Sequence, residues 1–110
     1  MSDLIINNKK MNILKISGGK VELRKDNGSL IRTIVSSNAI SADINTVQDK
    51  ILITYLSGKV ELRKENASLI RTIASSKAVD ARFSGTDIAV RLSNGKTELR
   101  KENGSLIRTF

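Results

Sequence analysis

Apolar and polar residues alternate along this chain in short runs. Val21-Glu22-Leu23-Arg24 places its apolar side chains on one side of an extended backbone, and Ile51-Leu52-Ile53-Thr54-Tyr55-Leu56 is a run dominated by β-formers. Turn signals break these runs: Gly18-Gly19, Ser57-Gly58 and Asn94-Gly95 before one strand, Asn27-Gly28, Asn66-Ala67 and Asn103-Gly104 after it. The block Gly19–Thr33 returns at Gly58–Thr72 and at Gly95–Thr109, with twelve of its fifteen positions identical in all three copies. The chain is read as three repeats, 1–39, 40–77 and 78–110, each of four strands a to d. In the last copy the strands are expected near Ala78–Phe83, Asp87–Leu92, Lys96–Lys101 and Ser105–Phe110.

Side-chain pairing then tests the hairpins. With Asn94-Gly95 as a two-residue turn, Arg91 faces Glu98 and Val90 faces Leu99. The same rule sets Lys15 opposite Glu22 and Leu14 opposite Leu23 in the first copy. For the c–d turn, a three-residue loop, Asp26-Asn27-Gly28 with Gly28 left-handed, pairs Leu23 with Ile31 and Glu22 with Arg32. A two-residue loop would instead mix apolar with charged partners. Ala67 is then a mild misfit, because a left-handed alanine costs ~1 kcal/mol that glycine does not.

In this register one face of the first sheet carries Leu14, Ile16, Val21, Leu23 and Ile31. The other carries Lys15, Glu22, Arg24 and Arg32, with Ile13, Leu30 and Ile34 around them. Both faces are apolar enough to need a neighbour. Glu22 with Arg32, Glu61 with Arg71 and Glu98 with Arg108 are read as structural ion pairs, with Arg91 also beside Glu98 and Thr54 beside Glu61.

Three four-stranded antiparallel units of this length resemble β-propeller blades of the WD40-like kind, without the Gly-His and Trp-Asp signatures. The resemblance covers essentially the whole chain and implies an all-β fold of three blades. Propellers close with about four to eight blades, so three form an arc with a bare sheet face at each end. Two chains head to tail would close six blades, and a homodimer is the expected state. The alternative is a monomeric β-trefoil, which also has three four-stranded repeats. It is disfavoured because b, c and d look like a continuous meander.

Composition narrows the chemistry. The chain has no Cys, His, Trp or Pro, and its aromatic residues are Tyr55, Phe83 and Phe110. The usual general bases, thiol nucleophiles and zinc ligands are therefore missing, and neither a metal nor a cofactor is expected. Gly95-Lys96-Thr97 resembles the end of a phosphate-binding loop, but Val90 stands where that motif needs glycine, and a strand follows. Asp26-Asn27-Gly28 lacks the further acids of a calcium loop. Ser36-Ser37 and Ser75-Ser76 recur without a base beside them and are read as loop residues. Asp43, Asp49, Asp80 and Asp87 do not repeat, and nothing pairs them for carboxylate catalysis.

Nineteen Lys and Arg against eleven Asp and Glu give a net charge of +8. Each repeated block contributes +2, so the charge is a property of the repeat and not of one patch. The propeller resemblance implies that Lys20, Lys59 and Lys96 ring one rim, with Lys25, Lys64 and Lys101 on the opposite one. Lys20, Lys59, Lys96, Arg24, Arg63 and Arg100 are thus the candidate anion-binding residues.

A non-enzymatic binding or scaffold module is the expected function, its main partner a second copy of itself. The alternative is a polyanion or nucleic-acid binder using the Lys and Arg rings. A lectin or a carboxylate-based enzyme fits less well. No stretch approaches the ~20 apolar residues of a membrane span, no secretory leader is read at Met1-Ser2-Asp3-Leu4, and a cytoplasmic location is expected.

Overall fold

A computed structural model describes residues 11–110, and the expected strand a of the first repeat lies outside them. Strands β1 (Ile13–Ser17), β2 (Lys20–Arg24) and β3 (Leu30–Val35) form the first sheet. The second contains β4 (Ala39–Asn45), β5 (Lys50–Tyr55), β6 (Val60–Lys64) and β7 (Leu69–Ala74). The third contains β8 (Ala78–Ser84), β9 (Asp87–Leu92), β10 (Thr97–Arg100) and β11 (Leu106–Thr109). Each sheet is an antiparallel meander with its strands in chain order, so tight turns alone connect it. A 3-10 turn at Thr46–Gln48 joins β4 to β5. Among the described residues no helix is long and apolar enough to cross a membrane.

The first b–c hairpin has the expected register, with Lys15 opposite Glu22 and Leu14 opposite Leu23. Its turn uses two left-handed glycines, Gly18 and Gly19, as a two-residue hairpin turn requires. The other two b–c turns are one residue longer. Tyr55 N–H donates to Lys59 O and Leu92 N–H to Lys96 O, so the loops are Leu56-Ser57-Gly58 and Ser93-Asn94-Gly95. Only the glycine in each is left-handed, and Asn94 Oδ1 instead accepts from Lys96 N–H. This corrects the third register: Val90 faces Glu98 and Arg91 faces Thr97. Thr54 likewise faces Val60 and lies fully buried on the sheet face opposite to Glu61.

The c–d loops have three residues as expected: Lys25 N–H donates to Ser29 O at 2.9 Å, and Ala67 is left-handed with φ 78°. A bulge then follows the turn. Arg24 faces Leu30, but Leu23 faces Arg32 and Glu22 faces Thr33, so the expected Leu23–Ile31 and Glu22–Arg32 pairs do not form. The second and third sheets shift at the same place, setting Leu62 opposite Arg71 and Leu99 opposite Arg108. A second bulge turns Ile34 inward, away from the polar face expected for it, and the residue is buried at 6% exposure. Bulges of this kind take up strand twist.

Two cores hold the sheets face to face. Val21, Leu23 and Ile34 of the first sheet bury against Ala39, Ile51 and Ile53 of the second. Leu52, Val60, Leu62 and Ile73 of the second bury against Ala78, Ala81, Ile88 and Val90 of the third. Each sheet therefore presents one face backward and one forward along the stack. The d–a connections lock neighbours together at one rim. Gly19 O accepts from Ala39 N–H while Asn38 O accepts from Leu56 N–H; Gly58 O with Ala78, and Lys77 O with Ser93, repeat the arrangement.

The outermost faces have different chemistry from the buried ones. Lys15, exposed, occupies the position of the buried Ile53 and Val90. At the other end, Arg91 and Thr97 occupy the positions of Ile16 and Val21. Phe110 is 69% exposed.

Candidate functional site

Three copies of one polar device follow directly from the repeated Glu-Leu-Arg-Lys-x-Asn. On strand c, Glu and Arg are two residues apart and so share a face. Arg24 Nε and Nη2 donate to Glu22 Oε1 at 3.1 and 2.7 Å, while its Nη1 donates to Gly28 O at 2.6 Å. Arg63 binds Glu61 and Ala67 O in the same way, and Arg100 binds Glu98 and Gly104 O. One guanidinium thus ties the carboxylate to the c–d turn. Within that turn Asn27, Asn66 and Asn103 accept from the Ser29, Ser68 and Ser105 amides, each at 2.9 Å.

These geometries place the candidate residues differently from a free cationic ring. Arg24, Arg63 and Arg100 are committed to an internal carboxylate and a turn carbonyl. Lys20 and Lys59 lie on the same glutamates, at 3.2 and 3.1 Å from Glu22 and Glu61. Lys96 is exposed beside its turn. Arg32, Arg71 and Arg108 are exposed, and the ion pairs of Glu22, Glu61 and Glu98 run along strand c instead of across the hairpin. The bulge explains this, because it moves Thr33 and not Arg32 opposite Glu22. Arg71 reaches the third sheet, where its Nη1 donates to Asn103 O at 3.4 Å.

The second sheet adds a tyrosine. A cleft of about 870 Å³ opens between the first two sheets, walled by Thr33–Asn38 on one side and by Tyr55, Lys59, Glu61 and Arg63 on the other. Tyr55 O–H donates to Glu61 Oε1 at 2.5 Å, and Lys59 Nζ sits 4.9 Å from the ring centroid. Burial works against the Glu61 charge, but hydrogen bonds from Tyr55, Lys59 and Arg63 outweigh it and hold the carboxyl below its ordinary 4.5. A carboxylate saturated by three donors is a poor proton acceptor. Glu22 is also held low, by hydrogen bonds from Arg24 and then Lys20. What the cleft offers a ligand is a partly exposed ammonium, an aromatic edge and the serine hydroxyls of its rim.

Sequence reasoning did not select Tyr55 for this cleft. Its signal was singularity: the equivalent positions are Ser17 and Leu92.

Burial, and after it the bond to Glu61, pushes the Tyr55 hydroxyl up to about 12 from 10.0. The fold favours the neutral phenol, so this contribution to stability is whole below pH 10 and is lost between pH 10 and 12. With no Trp and one Tyr in the chain, near-ultraviolet absorbance of the phenolate reads this group alone. A midpoint near 12 in the folded protein and near 10 in denaturant is expected. An unshifted folded midpoint would remove Tyr55 from the Glu61 network.

No family model and no curated protein matches this sequence. Solved structures do match in shape. The WD40 β-propeller domain of Doa1 superposes with a TM-score of 0.72 at 13% identity, covering 89% of this chain and 36% of that one. BamB from Moraxella catarrhalis superposes with a TM-score of 0.60 at 15% identity, over 88% of this chain and 33% of that one. These are folds of stacked four-stranded antiparallel sheets, the form taken by the second and third sheets here. This chain is an array of β-propeller blades. It spans about a third of the solved chains it matches. At this identity the likeness carries the fold and not the ligands.

Proposed function

We propose that this chain is a non-enzymatic propeller module for binding or scaffolding, whose ring is completed by a second copy to give six blades. One observation carries the reading. Both junctions within the chain bury a forward sheet face on a backward one, and among the described residues one face of each kind is left uncovered at the two ends. Head-to-tail contact through unlike faces closes into a ring when the rotation permits. The similar propellers are about two and a half times as long as this chain, which supports completion by further blades. Threefold recurrence of the Glu–Arg device and the saturation of Glu61 favour binding over catalysis, and the cleft beside Tyr55 is the candidate docking surface.

A second reading, the polyanion binder, is supported by Lys25, Lys64 and Lys101, which are all exposed on the c–d turns. Contact with phosphates through such residues would give binding that falls steeply with salt.

Absolute mass in solution, measured by light scattering on a sizing column, tests the ring. A mass of twice 12.0 kDa is expected at high protein concentration. A sharp 12.0 kDa species at all concentrations overturns it.

A further inference from the structure

The junctions inside the chain repeat, and their repetition shows what meets at the missing one. Asn12 immediately precedes β1, and its Nδ2 donates to Glu65 Oε1 in the c–d turn of the next blade at 2.8 Å. Lys50 holds the equivalent place, just before Ile51, and its Nζ pairs with Glu102 in the c–d turn of the blade after that. Equivalence is fixed by register, since Ile13, Ile51 and Ile88 face Arg24, Arg63 and Arg100. The acids Asp26, Glu65 and Glu102 each stand two residues past those arginines. Both in-chain junctions are therefore bridged by a donor before strand b and an acid in the following c–d turn.

At the third junction the same two positions are Asp87 and Asp26. We infer that the closing contact between two copies sets Asp87 of one chain against Asp26 of the other, so that an acid pair sits where the built-in junctions place a donor on an acid. This rests on the ring proposed above and names the contact that sets its strength. Two carboxylates at the spacing of an ion pair repel each other, whereas the amide–acid and lysine–acid bridges attract. The closing junction is consequently the weakest of the three. Thr97 and Lys15 alter it in the same sense, because they occupy places that the other junctions fill with Val21 or Val60 and with Ile53 or Val90. The ring is thus built to open between chains and not within them.

A charge-reversal cycle tests this in the full chain. Dissociation constants are measured by sedimentation at low and moderate salt for the native protein, Asp87→Lys, Asp26→Lys and the double variant, with circular dichroism confirming the fold of each. Either single change creates a Lys–Asp bridge like that of Lys50 and Glu102. Roughly fivefold tightening per junction is expected for such a partly exposed pair, or roughly 25-fold for a dimeric ring with two junctions, and less at high salt. The double variant restores like charges and returns affinity to the native value.

Equal or weaker association of both single variants, with the native protein still dimeric, overturns the acid pair and leaves the ring intact. Steady tightening from single to double overturns it as well, because two facing lysines cannot tighten a contact and the changes must then act elsewhere. If every variant remains monomeric, the ring itself is lost.

Discussion

Gly58→Ala is expected to destabilise the folded chain by about 3 kcal/mol, as read from urea or thermal unfolding. Two costs combine. Gly58 has φ +89°, a conformation that costs an L-residue ~1–2 kcal/mol. A Cβ there would also lie 2.4 Å from Lys77 N and 3.1 Å from its Cα, both backbone atoms of the connection into the third blade. That connection cannot step aside freely, because Gly58 O accepts from Ala78 N–H and Lys77 O accepts from Ser93 N–H. Gly95 supplies the control: it has the same φ of +89° but nothing within 4 Å of its would-be Cβ. Gly95→Ala should lose only ~1 kcal/mol. Equal losses in the two variants would show that the approach of Lys77 costs nothing.

Removing a guanidinium should cost nearly as much. Arg63→Ala takes two N–H groups from Glu61, whose side chain is 7% exposed, and a third from Ala67 O. Breaking a fully buried pair costs about 3–5 kcal/mol. With Lys59 and Tyr55 still on the carboxylate, and Arg63 itself partly exposed, about 2–3 kcal/mol is the discounted expectation. The deficit depends on pH with a definite sign. Glu61 is held below 4.5 in the native protein, so its contribution is present above pH 4.5 and is lost as pH falls. The gap between variant and native stability should therefore narrow in acid. Adding Glu61→Gln to Arg63→Ala removes the stranded charge and should recover ~1 kcal/mol. No recovery would mean that the arginine acts through packing alone.

The strands, the meander and the blade likeness were legible because they rest on alternation and exact repetition. The length of the c–d loop was legible too, since three residues allow Gly28 its left-handed place, although the like-residue pairing that also argued for it is undone by the bulge that sets Leu23 opposite Arg32. The bulges beyond it were not. They answer to twist, which depends on the neighbouring blade, and Ile31 and Ile34 fit either face as sequence. Asn94-Gly95 misled for a different reason. That dipeptide suits a two-residue turn, but Asn94 spends its side chain on the Lys96 amide and the loop takes Ser93 as well. Gly18-Gly19, with no side chain to divert it, behaved as expected.

That one-residue error displaced the polar site. It put Arg91 beside Glu98, whereas a pairing along strand c, visible as Glu-x-Arg, needs no assumption about the hairpin. Tyr55 went unplaced because its partner across the turn, Lys59, depends on the longer loop.

The Asn-Gly turns also make this molecule a chemical clock. An asparagine side chain closes on the next backbone nitrogen most easily when glycine supplies it, and hydrolysis of the ring leaves an acid in place of the amide. In the folded turn Gly28 N–H is held by Lys25 O and Gly104 N–H by Lys101 O, both at 2.9 Å, and each asparagine oxygen is held by a serine. The reaction must wait for the turn to open. Each event removes one positive unit from the +8 of the chain, so ageing appears as an acidic drift whose rate reports how often the first and third c–d turns and the Asn94-Gly95 loop come apart. The middle blade, with Ala67 after Asn66, accepts a strained backbone and in exchange ages more slowly than its neighbours.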